Sequence, residues 1–480
     1  MENSITLANH IQQIKQLLLQ NNYPVTSEIK QLKSSGSERV YFRLSFKNKA
    51  SVLAAYNADA YENQAWLYFS KHFHSIGLPV PEIFAQSEDF QYFLLEYLGD
   101  ETLFDLLGKI PEQEKIVYFK KAISALIRFQ VDGIKGLDWE KAYPVKDFNK
   151  KSILWDLNYF KYYFVKTHNI AFDENKLEDD FQRFADILLE AESQFFLYRD
   201  FQSRNIMVRN GNLFFIDFQA GRKGPLQYDL VSLLFQARAN LNPETREILL
   251  HFYLDELEKK LPGRKKSFLQ YYNNFIYFRL MQVLGAYGFR GIIQKKTHFL
   301  LSIPFAIGNL EYLLNHSPLT SECKELNSVL RKILEFEQYK IHRKDKEKLR
   351  VEINSFSYLN SSYPKENSGN GGGFAFDCRA LPNPGRIEEL KDFSGLETPV
   401  IQFFEKSEKM KRFLEHVFKL TDMSVDNYLE RKFSNLQVNF GCTGGKHRSV
   451  YCAEQLKMHF GEKYGDRVEI VLNHKMEKEW

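Results

Sequence analysis

Residues 198–218 constrain this chain more than any other stretch. Asp200 and Asn205 stand five residues apart within Tyr198-Arg199-Asp200-Phe201-Gln202-Ser203-Arg204-Asn205. A short apolar run follows, then the turn Asn210-Gly211-Asn212, then a second run ending Ile216-Asp217-Phe218. Asn-Gly between two apolar runs signals a β-hairpin. A hairpin lays its two ends side by side, so Asp200, Asn205 and Asp217 are expected at one place. A carboxylate (Asp217) and an amide oxygen (Asn205) are hard ligands suited to a small divalent cation. A second carboxylate, Asp200, sits where it can take a proton from a hydroxyl. A D-x4-N spacing alone is common by chance, and a lone Asp after a strand is often a helix cap. The ordered pair of motifs, joined by a hairpin, is much rarer and carries the reading. Such a set meets the needs of phosphoryl transfer from ATP with Mg²⁺, which brings a polyanionic tail and a hydroxyl to be deprotonated.

The surroundings fit a large chain with more than one domain. With 480 residues, 44% hydrophobic and 26% charged, the bulk is globular and not low-complexity. A net charge of +4 gives no argument for nucleic acid by itself. Met1 to Asn22 reads as an amphipathic helix with Ile11, Ile14, Leu17 and Leu18 at helical spacing, not as a signal peptide. The longest apolar candidate for a membrane span, Phe299 to Leu310, is broken by Pro304. Cys323, Cys378, Cys442 and Cys452 show neither paired nor zinc spacing, which predicts a reduced, cytoplasmic protein. Thr26 to Phe46 predicts a hairpin around Ser34–Ser37. Ser51–Tyr56 and Phe90–Tyr97 predict strands, with a helix carrying Trp66, Phe69 and Phe73 between them. From Glu101 to Tyr339 the period is helical. Lys340 to Arg350 is dense in both charge signs and reads as a solvated linker more readily than as a nucleic-acid patch. Ser355 to Gly373 reads as a flexible loop, and strands alternate with helices after it.

Residues 20–320 resemble the aminoglycoside phosphotransferase family, which has a protein-kinase-like fold. Ile216-Asp217-Phe218-Gln219-Ala220, Gly224-Pro225 and Tyr228-Asp229-Leu230 are similar to the branch that phosphorylates the anomeric hydroxyl of N-acetylmuramate and N-acetylglucosamine. Glu96-Tyr97-Leu98-Gly99-Asp100 resembles that branch's hinge, and Val283 to Leu314 its last helices. The resemblance implies Asp200 as catalytic base, Asn205 and Asp217 as magnesium ligands, and Arg199 and Asp229 as structural groups. It also implies nucleotide contacts from Glu96 and Tyr97 and from a phosphate-covering loop at Ser35, Gly36 and Ser37. Two departures stand out. Tyr198 replaces the family's His, and Ser51-Val52-Leu53-Ala54-Ala55 lacks the Lys that holds the phosphates. Lys47, Lys49, Arg39 and Arg43 are all available substitutes, and the sequence selects none. Glu62, the usual partner of that Lys, is then expected on the surface.

A second site follows the apolar run Leu436–Phe440. Gly441-Cys442-Thr443-Gly444-Gly445-Lys446-His447-Arg448-Ser449 leads into a helix with Val450, Ala453 and Leu456 on one face. A Gly-rich turn at a helix start points backbone N–H groups at one spot, and Lys446, His447 and Arg448 add charge. This predicts a phosphate cradle, against the plainer reading of a tight linking turn. Cys442 and Arg448 also match the C-x5-R spacing of a cysteine phosphatase, in which a thiolate attacks phosphorus. The block Gly441–Val450, with Phe376-Asp377-Cys378-Arg379-Ala380-Leu381 and Gly395–Val400, resembles the C-terminal domain of the RapZ family. Those RNase adapters sense glucosamine-6-phosphate and present a small RNA. The resemblance implies a glucosamine-6-phosphate-like ligand held by residues 442–449 with Asp377 and Arg379. RNA is the weaker expectation, because acids offset the lysines of the tail Asn473–Trp480.

The expected fold class is therefore an α+β protein-kinase-like two-lobed domain followed by a smaller α/β domain. Residues 1–99 would form the N-lobe, 100–339 the helical C-lobe, 340–350 a linker and 351–480 the RapZ-like domain. The expected function is phosphorylation of an N-acetylated amino sugar by ATP and Mg²⁺, coupled to binding of an amino-sugar phosphate, with no membrane partner. The alternatives are a regulatory pseudokinase that only binds ligands, or phosphatase chemistry at Cys442.

Overall fold

A computed structural model of the protein describes residues 2–24, 26, 28–32, 39–339, 348–361, 363–364, 373–430 and 433–477. The chain divides into two compact units, Met1–Lys340 and Ile341–Trp480.

The first unit opens with α1 (Glu2–Gln20) and a sheet of β1 (Glu28–Gln31), β2 (Val40–Ser45), β3 (Val52–Tyr56), β4 (Ile83–Gln86) and β5 (Tyr92–Glu96), with α2 (Ala60–Ser75) between β3 and β4. The sheet is antiparallel in the order β1-β2-β3-β5-β4. Alternation along each strand gives it two apolar faces. Phe42, Leu44, Ala54 and Leu94 pack with Ile14, Leu17 and Leu18 of α1. Phe93 and Leu95 face Trp66, Phe69 and Phe73 of α2. Asp59 caps α2 by accepting from the backbone N–H of Tyr61 and Glu62, which fixes where the helix begins and so where Glu62 points. The helical reading of Met1–Asn22 and the strand–helix–strand order hold. The turn predicted at Ser34–Ser37 lies outside the described residues.

Helices α3 (Leu103–Leu107), α4 (Glu112–Ile127), α5 (Lys150–Phe160) and α6 (Glu174–Leu189) come next. Then β6 (Phe195–Leu197), β7 (Ile206–Arg209), β8 (Asn212–Phe215) and β9 (Arg222–Gly224) form two short antiparallel ribbons, β6 with β9 and β7 with β8. The unit ends with α7 (Gln227–Leu234), α8 (Pro243–Lys260), α9 (Lys265–Tyr287), α10 (Thr297–Leu300), α11 (Ile303–His316) and α12 (Lys324–Ile333). The expected hairpin is present, and Asn210 (φ 52°) and Gly211 (φ 73°) take the left-handed conformations that such a tight turn demands. Helix α9 approaches α5 closely enough that a Cβ on Gly285 would lie 2.9 Å from the Phe160 backbone. That approach brings Arg279 of α9 and Asp156 of α5 toward the Asp200 loop.

The second unit holds β10 (Leu349–Ser357), β11 (Gly373–Asp377), α13 (Thr398–Glu405), α14 (Glu408–Glu430), β12 (Asn435–Cys442), α15 (Arg448–Tyr464) and β13 (Val468–His474). Its sheet is wholly parallel in the order β11-β12-β10-β13. Val351, Ile353, Leu436, Val438 and Phe440 pack with Val417, Leu456 and Phe460 into a separate core. The central strand β10 corrects the sequence reading. It starts inside the expected 340–350 linker and ends inside the expected loop from Ser355. Ser355 and Ser357 are tolerated there because their hydroxyls are paired, Ser355 with His474 Nδ1 at 2.8 Å and Ser357 with the Thr443 carbonyl at 2.6 Å. Among the described residues, no helix is long and apolar enough to cross a membrane.

Candidate functional site

The first unit gathers its functional side chains at the ends of β6, β7 and β8. Asn205 donates through Nδ2 to the Asp200 carbonyl at 2.9 Å and to Asp217 Oδ2 at 3.0 Å. Both amide hydrogens point at these oxygens, which leaves Oδ1 as the atom available to a cation. Gln219 Nε2 donates to the other Asp217 oxygen at 2.9 Å. The carboxyl of Asp217 is pushed up by its poorly solvated position and then by the charge of Asp200. Arg199 (φ 77°) and Asp217 (φ 69°) both adopt left-handed backbone conformations, unusual for such residues. Strain of this kind persists only where neighbours hold it in place. Here Asp229 supplies the hold. Its Oδ2 accepts from Tyr198 N–H at 2.7 Å and its Oδ1 from Arg199 N–H at 2.8 Å. Burial pushes the Asp229 carboxyl up to about 7, against the pull of those two bonds. Tyr198 donates its hydroxyl to the Ile216 carbonyl at 2.6 Å, tying the loop of Asp200 to the residue before Asp217.

The departure at β3 is resolved by Arg39, one residue before β2. Its guanidinium lies 3.1 Å from Glu62 Oε2 and 3.8 Å from Asp217 Oδ1. Glu62 is therefore not the surface residue expected from the missing Lys. It is held by Arg39 and by Asn57 Nδ2 at 2.7 Å. Arg43 instead lies over the Tyr97 ring and 4.0 Å from Asp100, and Lys49 lies over Tyr23. Arg39 Nη2 is buried and, despite its closeness to Glu62, lacks hydrogen-bond geometry to any described acceptor. A buried donor without an acceptor beside a metal-type carboxylate and amide fits a phosphate group. Among the described residues no three His, Cys, Asp or Glu side chains form a cation cage, so a cation here needs phosphate oxygens as further ligands. Glu96 closes β5 and pairs with Arg209 at 2.7 Å, while the Tyr97 hydroxyl donates to Asp100 at 2.6 Å. Ser35, Gly36 and Ser37 lie outside the described residues.

A second basic group, missed in sequence, reaches the same place. Arg279 Nη2 lies 3.8 Å from Asp200 Oδ1, and the guanidinium also engages Gln282, which donates to Asp156 at 2.7 Å. Nothing local in the sequence marks Arg279, because it comes from a helix 79 residues beyond Asp200.

In the second unit β12 leads through Thr443–His447 into α15. Gly445 (φ 69°) has no room for a side chain, since a Cβ would lie 2.6 Å from Met476. Gly444 faces open space. Cys442 is buried, accepts from Gly445 N–H at 3.2 Å and lies 3.1 Å from the Ser449 hydroxyl. The expected phosphate clamp, Arg448, is buried beside the cradle and keeps one buried donor, Nε, without a hydrogen-bond partner among the described residues. Its Nη1 donates to the Arg379 carbonyl at 2.8 Å, its Nη2 lies 3.4 Å from Thr443 Oγ1, and the residue is 5% exposed. Its Nη1 and Nη2 are thus engaged by the protein. Lys446 Nζ donates to the Asp392 carbonyl at 2.7 Å, and His447 Nε2 lies 3.3 Å from the Lys391 carbonyl. Burial lowers the pKa of His447. Asp377 and Arg379 pair with each other at 2.6 Å.

Comparison with known proteins assigns both units. Residues 28–264 match the phosphotransferase enzyme family, and residues 349–477 match the RapZ C-terminal domain. The chain joins a phosphotransferase domain to a RapZ C-terminal domain. A nucleotide-binding protein of Acinetobacter baylyi is 36% identical over 107 residues, covering 22% of this chain and 36% of that protein. One from Actinobacillus pleuropneumoniae is 40% identical over 93 residues, 19% of this chain and 32% of that protein. The chain thus spans about a third of the length of these relatives. A third, from Glaesserella parasuis, is 26% identical over 234 residues, 48% of this chain and 74% of that protein. Among solved structures, choline kinase of Cryptosporidium parvum is similar at 14% identity with a TM-score of 0.44, covering 63% of this chain and 93% of that one. An aminoglycoside phosphotransferase in complex with streptomycin and ATP is similar at 18% identity with a TM-score of 0.38, covering 56% and 91%. The phosphotransferase domain mixes a five-stranded antiparallel sheet with helices, and the RapZ C-terminal domain is a separate α/β unit with a parallel sheet.

Proposed function

We propose that the phosphotransferase domain transfers the γ-phosphoryl group of ATP to a hydroxyl of an N-acetylated amino sugar. The carrying observation is the convergence of Asp200, Asn205 and Asp217 with Arg39 beside them. Asp200 accepts the proton of the attacking hydroxyl. Asn205 Oδ1 and Asp217 hold Mg²⁺, which neutralises charge on the phosphates when bound. Arg39, kept in place by Glu62, holds the phosphates in the role of the missing Lys. Its presence favours an active kinase over a pseudokinase. Asp229 and Tyr198 keep the strained loop in register, and Arg279 positions Asp200. The four cysteines are free thiols, which suits a reducing, cytoplasmic setting.

A radiolabelled-ATP assay against a panel of amino sugars tests the reading. Asp200→Asn is expected to lower transfer by roughly 10²–10⁴-fold while leaving Mg–ATP affinity within a few-fold, because the base acts only in transfer. Turnover above about a tenth of the wild type would sink the assignment.

The RapZ C-terminal domain is proposed to bind an amino-sugar phosphate such as glucosamine-6-phosphate at residues 442–447. Backbone N–H groups at the start of α15 would carry the affinity together with Arg448, whose Nη1 serves protein carbonyls while its Nε has no partner among the described residues. Calorimetry with glucosamine-6-phosphate should show binding in the wild type and in Cys442→Ser, and loss in Gly444→Glu, which fills the open side with negative charge. Phosphate release that depends on Cys442 would instead establish phosphatase chemistry; the 2% exposure of that thiol speaks against it. RNA remains the weaker partner, and residues 478–480 of the tail lie outside the described chain.

A further inference from the structure

Behind the catalytic loop the phosphotransferase domain has a cavity of about 200 Å³ that none of the roles above uses. Phe148, Trp155, Asp156, Arg199, Arg222 and Tyr228 line it. Arg222 comes from β9 and pairs in register with Leu197 of β6, so it stands beside Arg199 two residues further on. Arg222 is 4% exposed. Its Nε donates to the Ala220 carbonyl at 3.2 Å, but its buried Nη2 has no partner among the described residues. Neither Arg199 nor Arg222 forms an ion pair among the described residues. Asp156 is the one carboxylate lining the cavity, and its Oδ2 accepts from Gln282. Burial, and then the charge of Arg199, lower Arg222 to about 10. Buried Arg222 and half-buried Arg199 share the nearby charges of Asp156 and Asp200, yet Arg222 keeps a buried donor without an acceptor, a cost that an arriving anion would relieve. Trp155, 59% exposed, offers an aromatic face at the same cavity.

We propose that this cavity is an oxyanion site, in which Arg199 and Arg222 bind a carboxylate or phosphate group of a small molecule whose ring lies on Trp155. A planar guanidinium matches either oxyanion through paired N–H donors. The anion is either a substituent of the phosphoryl acceptor or a separate effector, and the chemistry of recognition is the same for both. The site goes beyond the sugar-kinase reading, and its first test does not depend on that reading.

The probe is inorganic phosphate titrated into the full-length protein, read by tryptophan fluorescence. A saturable change is expected in the wild type and in Arg39→Met, and no change in Trp155→Phe. Arg222→Gln should weaken binding by about 10- to 100-fold, the range for a charge-assisted hydrogen bond. Asp156→Asn removes the competing carboxylate and should tighten binding, which keeps the test decisive if Arg222→Gln fails to fold. No saturable signal in the wild type, unchanged affinity in folded Arg222→Gln, or weaker affinity in folded Asp156→Asn would each overturn the site. Kinetics then separate the sources. Competition between phosphate and an anionic acceptor, with KM raised in Arg222→Gln for that acceptor alone, identifies a substituent. A phosphate effect on kcat at saturating acceptor identifies an effector.

Discussion

Arg39 stands at the junction of the sheet and the phosphoryl-transfer loop. It touches a helix carboxylate, Glu62, and a loop carboxylate, Asp217, and keeps one buried donor without an acceptor. Charge-assisted hydrogen bonds to phosphate contribute about 1.5–3 kcal/mol each. Arg39→Met is therefore expected to weaken Mg–ATP binding by at least about tenfold in calorimetry. Glu62→Gln should act through Arg39, so its effect should largely vanish in an Arg39→Met background. Additive losses would mean that Glu62 serves the nucleotide by another route. The residues legible in the sequence are those whose chemistry dictates their type. A proton acceptor and hard oxygen ligands draw on a short list of side chains, and the proposed set, Asp200, Asn205 and Asp217, shows in the sequence as a D-x4-N spacing followed by a hairpin. A phosphate-holding cation has no such constraint, and four basic residues in 39–49 satisfied it equally on paper. Only the start of β2, set by pairing of Val40 with Tyr56, selects Arg39. Arg448 shows the opposite limit, with Nη1 on protein carbonyls and Nε left without a partner among the described residues. The C-x5-R spacing is specific, but it does not say which way the guanidinium turns.

The β6–β9 ribbon and the first turn of α7 form the element that holds the catalytic loop. Asp229 is its pin. Asp229→Ala leaves two buried N–H donors unpaired and is expected to cost about 2–6 kcal/mol in urea unfolding. The pH dependence follows from its raised carboxyl. The unfolded chain releases this proton near 3.8, while the folded protein keeps it until about 7. Between those values the folded state binds more protons, so Asp229's contribution to stability falls as pH rises and is constant above about 7. Thermal melts of the wild type from pH 4.5 to 7.5 should carry this slope, and Asp229→Asn should reduce it. Asp156 and Asp217 are raised in the same direction by burial and leave a residual slope. An identical slope in the variant would remove Asp229 from the account. Among elements, α1, α2 and the β7–β8 hairpin were legible from period and turn chemistry. Strand β10 was not, because Ser355 and Ser357 look like loop residues until a parallel neighbour supplies their hydroxyl partners.

The two units keep separate cores. The first runs through Ile333 of α12, and the second begins with Leu349 of β10. Between them the sequence places Lys340, Arg343, Lys344, Lys346 and Lys348, five trypsin sites within nine residues. By its composition this stretch is a solvated, charged segment, the kind proteases cut first, whereas a residue paired in a sheet resists cleavage. Arg350 is excluded by that argument, since its N–H donates to the Ser434 carbonyl and the residue pairs within the sheet. Limited trypsin digestion is therefore expected to cut after residues 340–348, giving an N-terminal fragment and a C-terminal fragment that starts no later than Leu349. If each core is self-sufficient, the first fragment keeps Mg–ATP binding and the second keeps glucosamine-6-phosphate binding with unchanged affinity. Cutting within 39–339 ahead of these sites, or loss of either ligand on separation, would show instead that each half depends on the other for its fold. If the proposed phosphotransferase and the proposed amino-sugar-phosphate binder fold alone, they need a reason to share a chain. The proposed ligands supply one, since a kinase for amino sugars makes phosphates of the class the second unit would bind.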